Sequence, residues 1–191
     1  MQDRHEAARE VIRQLGMGEH WLAVADPDMA PDLVETIRET LAAYERADLD
    51  WLLANCHPDL VIRQPPELPD AQMYTGEDAL VDSLLGWPRQ WAHFQMEPRR
   101  IFAPDDEHLA VVTLHRGRPH SIDIEVQAEF VFLFRYRDGL IYRWDMFLSV
   151  DEALRRAAER RAHGDDDRAA ERDRRERSQE AGAEEARPDH R

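Results

Sequence analysis

The sequence contains no lysine: all 25 of its basic residues are arginine. That excludes Schiff-base catalysis and a phosphate-cradling P-loop lysine before any motif is sought. A single cysteine, Cys56, excludes an internal disulfide framework. It lies in the apolar run WLLANC and reads as a buried structural thiol. No stretch approaches the ~18 apolar residues that a membrane-spanning helix requires. The opening segment MQDRHEAAREVIRQL lacks the apolar core of a secretory signal, so the expected location is cytoplasmic. Positive charge is scarce as well. The net charge is −15, of which residues 1–150 carry −13 and residues 151–191 only −2. So acidic a body repels phosphate backbones and anionic lipid heads, and Arg99-Arg100 and Arg116/Arg118 are only pairs. Neither nucleic acid nor a membrane is an expected partner. A metal site lacks support too: His115 and His120 stand five apart across a turn, and His57 and His93 have no ligand spacing. Phosphate-cradling and nucleophile-elbow motifs are missing, and no cofactor is expected.

What is present reads as one α+β domain with extensions. Residues 4–16 have a thin apolar stripe, Ala8, Val11, Ile12 and Leu15, stopped by Gly16, and predict a short helix. The segment after it, rich in Gly and Pro, predicts an arm anchored by Trp21 and Leu22. Leu33, Ile37, Leu41 and Tyr44 recur at helical spacing, and a second helix is predicted from Asp48 or Asp50 to Pro58. DLVIRQP alternates and predicts a strand, and the proline-rich PPELPDAQMYTG predicts a loop. Leu80, Leu84, Trp87 and Trp91 predict a third helix over 77–94, kinked or divided by Pro88 near Gly86. Strands are expected at Glu97–Phe102, Leu109–Arg116, Ile122–Arg137 and Leu140–Leu148, with Asp138-Gly139 closing a tight hairpin. After a last helix, DEALRRAAERRA, the tail has nothing apolar of any size to bury. It is expected to be disordered or a solvated charged helix.

Three stretches, in this order, resemble the SnoaL-like branch of the nuclear transport factor 2-like superfamily: AAYERADLDWLLANCHPDLVIRQP, YTGEDALVDSLLGWPRQW with the two strands after it, and VFLFRYRDGLIYRWDMFLSVDEALRRA. The resemblance covers roughly residues 32–158, leaving an N-terminal arm at 1–31 and a charged tail at 159–191. It implies a cone: a strongly bent antiparallel or mixed sheet packed against three helices around an apolar pocket. It also implies homodimers formed through the outer sheet face. The composition of Ile122–Arg137 agrees, because Phe130, Phe132 and Phe134 occupy one face while Val131 and Leu133 occupy the other. A strand apolar on both faces needs cover on both.

The scaffold alone does not fix an activity. The ketosteroid isomerases of this fold place a carboxylate base before a proline at the end of the first strand. Here that position is Gln64, before Pro65, and an amide is no base at neutral pH. Their first-helix tyrosine corresponds to Thr40. The polyketide-cyclase members place an acid/base aspartate on the last strand, and Arg143-Trp144-Asp145 resembles that segment. The histidine that faces it in those members is replaced by Val131-Phe132, with His115 as a candidate substitute. Asp145 has two readings. Its aromatic neighbours suit a carboxyl tuned for acid/base work, and Arg143 on the same strand face suits a structural ion pair. The remaining pocket candidates are Tyr44, Trp51, Trp87, Trp91, Phe130, Phe132 and Trp144, beside Gln64; aromatics at such spacing serve equally as core. The expected partner is a small apolar or aromatic molecule. Two functions follow: a cofactor-independent cyclase- or isomerase-like enzyme using Asp145, or a non-catalytic binder of the same ligand. An interaction protein acting through the charged tail is a third.

Overall fold

In the computed structural model, residues 2–68, 71–87, 91–120 and 124–162 are described. The chain divides into two compact units, residues 1–154 and 155–191. In the second, residues 155–162 are helical. The expectation for the tail beyond residue 162 lies outside the described residues.

The first unit opens with helix α1 (Gln2–Leu15), whose stripe buries Ala8 and Ile12. A 3-10 turn at Glu19–Val24 then buries Trp21, which is 1% exposed. Helix α2 (Pro31–Glu45) starts with proline at its first turn, where the missing N–H costs nothing. It buries Ile37, Leu41 and Tyr44 at the predicted spacing. Helix α3 (Leu49–Ala54) is capped by Asp48, whose carboxylate accepts from the Trp51 N–H at 3.1 Å. It stops short of the expected Pro58. The Asn55 carbonyl accepts instead from the Ile141 N–H at 2.9 Å, and Cys56 opens strand β1 (Cys56–Arg63).

The proline-rich loop contains a short strand, β2 (Met73–Thr75), which the sequence did not signal. Helix α4 (Ala79–Gly86) is also shorter than expected, because Trp91–Phe94 belong to strand β3 (Trp91–Asp105). The break expected at Pro88 lies outside the described residues. Strands β4 (His108–Pro119), β5 (Val126–Arg137) and β6 (Leu140–Phe147) complete a six-stranded sheet in the order β2-β1-β6-β5-β4-β3. Only β1 and β6 run parallel. Register shifts in β3 and between Arg135 and Tyr136 let the long strands bend. At the β5–β6 turn, Asp138 (φ 51°) and Gly139 (φ 78°) both take the left-handed conformation of a two-residue primed hairpin. Helix α5 (Val150–Ala162) follows the sheet.

The inner face of the sheet packs against the helices in two clusters. One joins α1, α3 and α4 to Leu60 and Ile62 of β1. The other joins Trp21, Ile37 and Leu41 to Val111, Phe132 and Met146. Val131 and Leu133, on the other face of β5, are buried as well. Burial of this much aliphatic and aromatic surface, at roughly 25 cal/mol per Å², is the main term holding the sheet to the helices.

Candidate functional site

A cavity of about 120 Å³ lies along the seam between the two clusters, bordered by Leu15, Leu52 and Leu80 from one and Ile37, Val111 and Met146 from the other. Strand alternation delivers its sheet wall. Phe132 and Phe134 of β5 pair across with Met146 and Trp144 of β6, and all four side chains face inward.

Of the residues singled out from the sequence, Tyr44, Trp51, Trp87, His115, Phe132 and Trp144 line this cavity. Four others sit elsewhere. Gln64 is buried at the end of β1, where its Oε1 accepts from the Gln72 N–H at 3.0 Å and pins the loop leading to β2. Trp91 packs against Trp87 with the rings tilted by 53° and their centroids 5.8 Å apart. Phe130 backs the wall, 5.5 Å from the Trp87 ring and 4.4 Å from His115. Asp145 is 2% exposed and points away from the cavity, because its neighbours Trp144 and Met146 take the inward positions. Its cross-strand partners are Leu133 and Arg63, and its Oδ2 accepts from the Arg143 Nε–H at 2.8 Å. Of the two readings of Asp145, the geometry is that of the ion pair.

His115 sits in a ring of aromatics: Phe94 at 5.0 Å, Phe132 at 5.6 Å and Trp87 at 6.0 Å, besides Phe130. Burial pushes its pKa down to about 3, so the imidazole is neutral at neutral pH. Its Nε2 is 2.9 Å from the Thr113 hydroxyl, which also reaches the Phe130 carbonyl at 3.4 Å. Thr113 went unnoticed in the sequence, although two-residue spacing on one strand was signal enough to place it beside His115. Cys56 and Tyr136 also border the cavity. Burial pushes both up to about 12 and raises Tyr44 as well, so thiol and phenols stay protonated. No Asp, Glu or Arg borders the cavity among the described residues. The described residues also contain no cluster of three or more His, Cys, Asp or Glu fit to hold a metal ion. No described helix is long and apolar enough to cross a membrane.

A bent, mixed sheet wrapped against helices, with an apolar cavity between them, defines a domain of the nuclear transport factor 2-like class. The SnoaL-like domain family matches residues 37–144, and the chain belongs to it. Among solved structures, it is similar to a nuclear transport factor 2-like protein of unknown function from Burkholderia pseudomallei. The two are 21% identical, with 66% of this chain and 97% of that one covered and a TM-score of 0.51. A nuclear transport factor 2-like protein from Burkholderia xenovorans is 25% identical, with 68% of this chain and 97% of that one covered and a TM-score of 0.50. No curated protein matches the chain.

Proposed function

We propose that the domain captures a small, neutral, ring-bearing apolar molecule in this cavity and holds it without covalent change. The observation that carries this reading is the charge state of the wall. Among the described residues it presents no Asp, Glu or Arg, and the surroundings of His115, Cys56, Tyr44 and Tyr136 favour their neutral forms. An ionic ligand would have to leave water for a wall whose described residues offer no counter-charge, at a cost of several kcal/mol. A neutral ring loses nothing comparable and gains dispersion contact with the aromatic wall. The free volume of about 120 Å³ is close to the ~150 Å³ that accepts benzene in an engineered apolar cavity.

The acid/base alternative fares worse on the same observations. The Asp145 carboxylate is bonded to Arg143 on the far side of β6 from the cavity. His115 borders the cavity, but a value near 3 makes it a weak base far from its operating pH. The test is native mass spectrometry of the purified full chain, followed by extraction of any carried molecule and its incubation with fresh protein. The expected result is a neutral molecule recovered unchanged in mass, chromatographic retention and NMR spectrum. A product that differs in mass or structure, isomers included, and whose formation stops in Asp145→Asn, would overturn the binding reading in favour of catalysis.

A further inference from the structure

We propose that His115, fixed by Thr113, is a hydrogen-bond acceptor on the cavity wall that selects ring ligands bearing a neutral hydroxyl, with an indole N–H as the complementary donor. This rests on the binding reading above and names the ligand chemistry that the same cavity takes.

The Thr113 hydroxyl has one proton and two neighbours, Nε2 of His115 at 2.9 Å and the carbonyl oxygen of Phe130 at 3.4 Å. A carbonyl can only accept. Both contacts are therefore hydrogen bonds in one arrangement alone: the hydroxyl donates to Phe130, and Nε2–H donates to the hydroxyl oxygen. A neutral imidazole protonated on Nε2 has a bare lone pair on Nδ1. His115 is 2% exposed and borders the cavity, and its Nδ1 has no hydrogen-bond partner among the described residues. Burial favours the neutral ring, so the lone pair is not taken by a solvent proton. A buried acceptor of this kind costs free energy until a donor meets it.

The neighbouring walls offer the opposite polarity. The indole Nε1 atoms of Trp87 and Trp144 are buried without a partner among the described residues, and both rings border the cavity. Indole N–H only donates. A ligand serving both kinds of group must donate and accept, and must do so without charge. A hydroxyl on a ring is the smallest group that does. An ether or ketone supplies only the acceptor and leaves Nδ1 unmet, and a carboxylate brings a charge that the described wall residues do not neutralise.

The experiment titrates the full-length protein by NMR with phenol and with fluorobenzene, rings of nearly one shape of which only phenol donates. The same titrations are repeated on His115→Phe, which retains an aromatic ring among Phe94, Phe130 and Phe132. Phenol affinity is expected to fall about tenfold in the variant while fluorobenzene affinity stays within about twofold. If both rings bind and the variant leaves the ratio of their affinities unchanged, the hydrogen-bond assignment fails while the cavity reading stands. If neither ring binds the wild-type protein, the cavity reading fails and this inference with it. Long-range ¹H–¹⁵N spectra of the wild-type protein supply a second readout, free of any folding defect in the variant. They are expected to show His115 protonated on Nε2, with Nδ1 shifting on addition of phenol; protonation on Nδ1 instead would overturn the assignment.

Discussion

Arg143 and Asp145 stand on one face of β6, and the Nε–H of the first donates to Oδ2 of the second at 2.8 Å, while Trp144 between them faces the cavity. The Arg143 side chain is 15% exposed and that of Asp145 only 3%. In so dry a setting, removing one partner takes a close counter-charge from the other. Arg143→Met is expected to lower the unfolding free energy by up to about 3–5 kcal/mol in urea titrations. Adding Asp145→Leu should recover a good part of the loss, because an apolar pair of similar bulk needs no desolvation. Phenol affinity of the folded variants should stay within about twofold of wild type. A large change in affinity at unchanged stability would mean that the pair serves the cavity after all.

His115 makes stability depend on pH in a window of its own. Burial lowers its pKa from 6.5 to about 3 on folding, so between those values the unfolded chain takes up a proton that the folded chain refuses. Its contribution is complete above about pH 6.5 and is lost as the pH falls toward 3, worth no more than about 5 kcal/mol across the window. Asp105 acts lower. Burial raises its carboxyl, but the bonds from His108 and the Glu107 amide outweigh that and hold it below 3.8, so its contribution fades only in stronger acid. Stability curves from pH 8 to pH 4 should therefore flatten in His115→Phe. A variant curve parallel to wild type would assign the proton uptake to another group.

On the sheet wall, strand alternation signalled Phe132 on β5, but the same count brought in Phe130, which stands behind the wall, and the register shift in the β5–β6 pairing breaks the count before Ile141. Helix α2 was legible for the corresponding reason at helical spacing. What misled was Trp87 and Trp91. Their four-residue spacing fits a helix, yet they belong to two elements, Trp87 at the end of α4 and Trp91 at the start of β3, with ring centroids 5.8 Å apart. Periodicity reports which side chains share a face and cannot distinguish a helix turn from two elements meeting. Asp145 shows a related limit. The sequence put it on the Arg143 face of its strand, but which face of the sheet lines a cavity depends on where α1, α2 and α4 pack. That is a tertiary fact, without a local signal. Strand β2 is three residues long, too short for any period to register.

Two glycines separate a tight backbone approach from a merely occupied space. A Cβ on Gly117 would lie 2.5 Å from the His93 carbonyl oxygen and 2.8 Å from the Trp91 ring, where β3 and β4 pair. A Cβ on Gly86 would meet the hydroxyl of Tyr74 and the ring carbon that bears it, the far end of a side chain and not backbone. Gly117→Ala is expected to cost about 1–3 kcal/mol by forcing the strands apart. Gly86→Ala should be near neutral, because the better helix propensity of alanine offsets the shift of Tyr74. Chemical denaturation of the two variants checks the ordering, and equal losses would refute the difference in packing.

Cys56 provides a chemical probe of the cavity that needs no substitution. It borders the cavity, and burial pushes its thiol up to about 12, so the reactive thiolate is scarce at pH 8. Alkylation by iodoacetamide at that pH is expected to run at least about 100-fold slower in the folded protein than in urea, through thiolate depletion and restricted access together. Saturating phenol should slow it further by occupying the space in front of the sulfur. Raising the pH from 8 to 9 should accelerate the folded protein's reaction about tenfold, since a group titrating near 12 gains thiolate in proportion to hydroxide over that range. A rate that levels off by pH 9 would place the thiol's pKa in the ordinary range and would mean that water reaches this end of the cavity freely. Mass spectrometry of quenched samples gives the rates directly, because the chain has only this one thiol to modify.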